Sequence, residues 1–176
     1  NREQLASLIL ELMFEQVFVH GFYHADPHPG NLLVLPGPQL CFLDYGITAV
    51  LSSRYREELS SLVLGLARGD EQRITRAVFR IAGYSRFERT ERVEADVANF
   101  VESHLHRPLR EIRIGQLLNE LSRLLIVHDI RLPPDFFLLT KALTTADGVA
   151  RFLAPELDIM EVIQPFARNL VRRRMS

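Results

Sequence analysis

What most limits the fold of this chain is a turn. Pro36-Gly37-Pro38-Gln39 stands between two four-residue apolar runs, Leu32-Leu33-Val34-Leu35 and Leu40-Cys41-Phe42-Leu43. Pro followed by Gly favours chain reversal, so this stretch predicts a β-hairpin inside a sequence whose remaining periodicity is helical. A four-residue turn sets Leu32 opposite Leu43, and places Asn31 beside Asp44 at the open end with Cα atoms about 5 Å apart. A slip of one residue would turn these side chains to opposite faces. Ahead of the hairpin runs His24-Ala25-Asp26-Pro27-His28-Pro29-Gly30-Asn31, and behind it comes Asp44-Tyr45-Gly46. Asp26 lies one loop before Asn31. Three oxygen-bearing side chains are therefore expected around one hairpin's open end.

An Asp, an Asn five residues on and a second Asp beyond a short hairpin is the spacing of a kinase catalytic loop and its metal-binding segment. Mg²⁺ prefers hard oxygen ligands and keeps several waters, so one carboxylate and one amide carbonyl suit it. Turn chemistry alone accounts for Asp-Pro, His-Pro and Pro-Gly-Asn taken singly. The hairpin of matching length and the Asp-aromatic-Gly behind it favour phosphoryl transfer. His24 and His28 have the H-x3-H spacing of a zinc pair. That spacing serves a metal along one helix face, and Pro27 and Pro29 break any helix here. Both histidines read instead as hydrogen-bonding residues.

The octet His24 to Asn31, with Leu43-Asp44-Tyr45-Gly46 behind it, closely resembles the UbiB family, AarF-domain-containing atypical kinases linked to ubiquinone biosynthesis. The likeness continues at Leu132-Pro133-Pro134-Asp135, from Thr140-Lys141-Ala142-Leu143 to Asp147-Gly148-Val149-Ala150-Arg151, and in Leu153-Ala154-Pro155-Glu156-Leu157-Asp158 and Gln164-Pro165-Phe166. It implies a catalytic Asp26 that positions or deprotonates a nucleophile, with Asn31 and Asp44 as magnesium ligands. It also implies a loop-orienting His24, ATP and Mg²⁺ as cofactors, and an ATP-driven role in coenzyme Q biosynthesis at a membrane surface. A lipid or quinone-like small molecule joins the nucleotide among the expected partners. His28 stands where most protein kinases have a Lys that touches the γ-phosphate, so it and Gly46 are expected to shape the loops. Ala25 replaces the Arg that clamps a phosphorylated activation loop. Only about five residues separate Gly46 from Ser52-Ser53, a Ser-cap signal for a helix. An activation segment does not fit there, so a peptide-docking platform is not expected.

Two other readings stay open. Small-molecule phosphotransferases of the aminoglycoside or choline kinase type carry a similar His-x-Asp-x-His-x-x-Asn loop. Their metal Asp is commonly followed two residues later by a second acid, where this chain has Gly46. A nucleotide-binding scaffold that transfers no phosphate is the alternative from another class.

The 176 residues, 47% of them hydrophobic, suit one domain with a sizeable core. Twenty of the 21 basic residues are Arg, and the only Lys is Lys141 in a downstream helical pattern. A kinase needs a sheet Lys upstream of its catalytic loop to hold the α- and β-phosphates. The expected fold is thus mainly α: the C-terminal lobe of a protein-kinase-like fold over residues 1–176. The catalytic loop and metal hairpin would occupy 20–47 and a helical remainder 52–176, without the nucleotide-covering lobe. Such a lobe on its own is expected to be inactive. Net charge −1 argues against a nucleic-acid partner. The single Cys41, in an apolar run, excludes an internal disulfide and fits a reducing compartment. No apolar run approaches the ~18 residues a membrane span needs. The Arg-for-Lys bias suggests a GC-rich bacterial source, and the family resemblance implies a cytoplasmic protein peripheral to or anchored at the inner membrane. Arg168, Arg172, Arg173 and Arg174 close the chain, as a solvated helix end or as a contact to an anionic membrane face.

Leu5, Leu8, Ile9, Leu12 and Met13 recur at helical spacing, and Gly21 marks the stop. Further helices are predicted near 53–68, 70–83, 89–106, 114–128, 134–153 and 158–174, the last kinked or broken at Pro165. Phe136, Leu139, Leu143, Ala146, Ala150 and Leu153 step by three and four, the mark of a buried face. Lys141 falls off that stripe and reads as solvated. Glu57-Glu58 and Arg89-Thr90-Glu91-Arg92 read as exposed helix faces.

Overall fold

The computed structural model describes residues 1–37, 39–83 and 90–175, and the side chains of these except 173–175. Residues 84–88, between the helices expected near 70–83 and 89–106, Arg89, and the Arg173 and Arg174 side chains lie outside that description. Helix α1 (Arg2–Phe14) starts on an Asn1 cap and continues into a π-helical turn, Glu15–His20. The π turn was not legible in the apolar spacing. It ends on Gly21 at φ +65°, where a Cβ would meet the Leu51 carbonyl at 2.9 Å and Arg56 Nε at 3.0 Å. Only glycine suits that exit. The Arg56 guanidinium donates to the Phe18 and Val19 carbonyls, at 3.3 and 2.9 Å, closing the end of the turn.

Two small antiparallel ribbons follow. Strands β2 (Leu32–Leu35) and β3 (Gln39–Phe42) form the expected hairpin, but in a different register. Leu32 pairs with Phe42 and Leu35 with Gln39, so three residues rather than four connect the strands. Asn31 consequently faces Leu43, whose N–H donates to the Asn31 carbonyl at 2.9 Å, and Asp44 lies one residue beyond the pairing. The expectation of Asn31 paired with Asp44 is corrected: Gln39 joins the ladder instead of the turn. The second ribbon was missed. Strand β1 (Phe22–His24) pairs with β4 (Thr48–Val50), with Tyr23 opposite Ala49. Three-residue strands with no local turn leave no periodic trace to read.

Helix α2 (Ser53–Arg68) opens on Ser52, whose hydroxyl accepts from the Tyr55 N–H. There follow α3 (Glu71–Ile81), α4 (Glu91–Leu105), α5 (Ile114–Val127), α6 (Pro134–Leu153) and α7 (Ile159–Met175). Of the kink or break expected at Pro165, the break does not occur, and α7 runs through it. Proline there removes one N–H donor, while the helix packs along α2 and α1 on either side. Glu58 is another correction: it is buried and pairs with Arg80 of α3 at 3.4 Å, a neighbour invisible within one helix's sequence.

The molecule is mainly helical, in keeping with a kinase-like lobe. α1 packs on α6 and α7, α2 on α3 and α7, and α5 on α6. One apolar core joins them, with Met13, Phe14, Phe79, Phe136 and Leu121 almost wholly buried. The predicted α6 stripe faces this core, its last residue Leu153 half-buried. Strand β1 is held against α6 by Tyr23. Its ring is fully buried, and its hydroxyl donates to the Asp135 carbonyl at 3.2 Å. That tether fixes the height of everything following β1.

Candidate active site

The loop after β1 is organised by one buried ring. His24 is 3% exposed, and its Nδ1 accepts the Asp26 N–H at 3.1 Å. Its Nε2 contacts the Asp44 carbonyl. With Nδ1 accepting, Nε2 carries the proton and donates. The same imidazole thus ties the loop of Asp26 to the segment of Asp44. Phe42 stacks on it at 5.3 Å between ring centres, and Tyr45 lies at 5.8 Å. The backbone N–H of His24 donates to Gln16 Oε1 at 2.8 Å, so the π turn buttresses the loop from behind. Gln16 carried no signal in the sequence.

Asn31 Nδ2 donates to the Asp26 carbonyl at 3.1 Å. With the amide nitrogen engaged, its oxygen remains available as a ligand. Asp44 Oδ1 accepts the Gly46 N–H at 2.7 Å, which sets the carboxylate's orientation. A side chain at Gly46 would approach that oxygen to 3.1 Å, which accounts for a glycine beside this acid. His28 caps the short 3₁₀ turn Pro29–Asn31, accepting from the Gly30 N–H at 3.1 Å. Its Nε2 lies 3.8 Å from Asp26 Oδ2. Ala25 is fully buried and donates to the Ile47 carbonyl at 3.0 Å, locking the loop to the β4 side. The expected site residues thus sit in one continuous network: Asp26, Asn31, His24 and His28 by direct contacts, Asp44 through His24, and Gly46 through Asp44.

Tyr23 anchors the network in a dry place. Its hydroxyl is pushed up to about 12, first by burial and second by the charge of Asp135. It therefore stays a neutral donor through the physiological range.

Lys141 is exposed, as its place off the stripe predicts, but it has a partner the sequence did not show. Although 55% exposed, its Nζ lies 3.7 Å from Asp26 Oδ1, so α6 delivers a cation to the loop's acid. Helical periodicity sorts a residue by its own helix and cannot see a loop more than a hundred residues earlier. The available signal was compositional, since this is the one Lys in a chain that otherwise uses Arg.

Asn31 and Asp44 carry oxygen donors of the type that a hard divalent cation such as Mg²⁺ takes, each beside a hydrogen bond that orients it. Among the described residues no helix is long and apolar enough to cross a membrane.

Two family models match. The ABC1 atypical kinase-like domain covers residues 1–78, and the UbiB helical domain covers 97–158. The first spans the whole loop network and the second carries Lys141. Curated relatives include a probable protein kinase UbiB of Xanthomonas campestris, 31% identical over 182 residues and all of this chain, 33% of that protein. Its namesake in Pseudomonas putida is 30% identical across 98% of this chain and 33% of its own length. An uncharacterised Synechocystis protein is 29% identical across 97% of this chain and 29% of its own length. The chain spans about a third of the length of these relatives. Two successive family models and relatives named probable protein kinase UbiB agree, and the chain belongs to the ABC1/UbiB family of atypical kinase-like proteins.

Proposed function

We propose that these residues form the acid- and metal-holding half of an ATP-dependent atypical kinase or ATPase of the UbiB type, supporting coenzyme Q biosynthesis. The observation that carries the reading is the His24 ring, which binds the Asp26 N–H on one side and the Asp44 carbonyl on the other. A loop acid and a metal acid held to one rigid group answer the positional demand of phosphoryl transfer. Asn31 and Asp44 would hold Mg²⁺, which when bound neutralises charge on the phosphates. Asp26 orients the acceptor hydroxyl or water and takes its proton. His24 and Gly46 keep the two acids in place, and Asn31 braces the loop through the Asp26 carbonyl.

Only Ile47 to Leu51 connect the Asp44 segment to the α2 cap, and Thr48–Val50 is already paired in β4. That leaves no peptide-docking segment, which favours water or a small molecule over a protein acceptor. A lipid or quinone-like acceptor at a membrane is the finer form of the proposal. Arg168 and Arg172 are exposed on α7 and would face anionic headgroups at about 1 kcal/mol each.

The test is Mg²⁺-dependent ATP hydrolysis by the full-length gene product, with and without anionic liposomes, beside Asp44→Asn. Turnover that disappears in the variant supports the reading, and stimulation by liposomes supports its membrane form. Nucleotide binding without turnover under either condition would replace it with a nucleotide-binding scaffold.

A further inference from the structure

We infer that Lys141 is a catalytic residue, the cation that meets the transferred phosphoryl group. The inference rests on the function proposed above and names a participant that neither the loop motif nor the family match assigns.

The loop itself supplies no permanent positive charge. The position before Asp26 is a buried alanine, and the position two after it is His28, whose Nδ1 is already committed to the Gly30 N–H. A transferring phosphoryl group spreads negative charge over three oxygens, and a catalyst of that step aims fixed positive groups at them. Lys141 is the cation placed to do so, with Nζ 3.7 Å from Asp26 Oδ1.

Structural duty explains this placement poorly. The separation is longer than a hydrogen bond and the lysine is more than half exposed, so the pair adds little stability. Its support is nonetheless rigid. Thr140, Ala142 and Leu143 are buried around it, and Tyr23 ties the start of α6 to the strand leading into Asp26. Residue choice points the same way. Twenty other basic positions are Arg, a flat fork suited to fixed bidentate partners, and this one alone is Lys. A compact ammonium on a flexible stem can leave Asp26 and follow a phosphorus moving from donor to acceptor.

In the step, the acceptor oxygen forms a bond to the γ-phosphorus of a nucleoside triphosphate. The bond from that phosphorus to the β,γ-bridging oxygen breaks, and the electron pair leaves on the diphosphate. The acceptor proton passes to Asp26, which Lys141 has released in moving to the γ-oxygens.

The experiment uses the full-length protein in wild-type, Lys141→Met, Lys141→Arg and Asp44→Asn forms, each checked for an unchanged melting temperature. Two readouts are kcat for ATP hydrolysis and the affinity for MgADP with and without aluminium fluoride, a mimic of the phosphoryl group in flight. Lys141→Met is expected to lower kcat by about 10²–10³-fold, the usual cost of losing one charge-stabilising donor. Its KM for ATP and its MgADP affinity should stay within about threefold, while the extra affinity conferred by aluminium fluoride is lost. Lys141→Arg should recover part of both.

If Lys141→Met turns over within about threefold of wild type while Asp44→Asn is dead, the role of Lys141 is wrong and the proposed function stands. Faster turnover than wild type also overturns it, making the ion pair a brake. Turnover that survives in Asp44→Asn removes both readings together. Should Lys141→Met melt early, Lys141→Gln replaces it in the same comparison.

Discussion

The core-facing side of helix α6 and the hairpin β2–β3 both carry apolar residues, yet they hold them differently. On α6, Phe136, Leu139 and Ala142 are at most 1% exposed, whereas Leu33, Val34 and Leu43 at the hairpin are 45, 51 and 56% exposed. The body is fixed by dispersion and burial. The rim is fixed by polar ties: Gln16 to the His24 backbone, the His24 ring to two loops, the Tyr23 hydroxyl to α6. Geometry at the acids therefore depends on a few directed hydrogen bonds standing on a packed platform. Stability and activity should separate under mutation.

The largest effect is expected in the body. Phe136→Ala should cost about 3–5 kcal/mol, read from the denaturant midpoint, because its fully enclosed ring leaves a cavity. A loss below about 1 kcal/mol would break the contrast by showing that the body tolerates voids as the rim does. Next comes Gly115→Ala, where the new Cβ would meet Thr144 Oγ1 and come within 2.5 Å of the Thr144 Cα. Backbone against backbone must give way, and about 1–3 kcal/mol is expected. Thermal melts compared at matched ionic strength would measure it.

Tyr23→Phe sits at the join of the two regions. It removes one buried hydrogen bond and should cost about 1 kcal/mol. A larger fall in ATP turnover than in stability is expected, since the lost bond positions the loop. Its pH dependence is specific. The folded hydroxyl titrates near 12, above its ordinary value of 10.0, so its contribution is whole below pH 10 and disappears as pH rises through 12. Wild type should therefore approach the variant in stability over that window, as urea titrations at several pH values would register. The smallest stability effect belongs to Tyr45→Ala. With the ring 63% exposed, a change within about 0.5 kcal/mol is expected by calorimetry. A large destabilisation there would mean that the ring's packing on His24 secures the fold itself.

The same division governs what the sequence disclosed. Helix limits were readable because capping and breaking residues announce them: Ser52 before α2, Gly69 after it, Pro133-Pro134 ahead of α6. The loop acids were readable because their spacing is local. Features that depend on distant partners were not. The hairpin slipped by one because Gln39 suits a turn or a strand equally. The β1–β4 ribbon joins segments more than twenty residues apart, and Glu58 is buried only because Arg80 of the next helix meets it. Lys141 belongs with these, since no rule of local periodicity connects it to Asp26.

That last placement also makes the site chemically addressable. Within these 176 residues the only ε-amino group stands beside Asp26 and is open to solvent. An amine-directed reagent would therefore modify the candidate centre at a single internal position. Mass mapping of the peptide that contains it, with and without nucleotide, would turn occupancy of the candidate site into a labelling yield, even with an acceptor not yet identified.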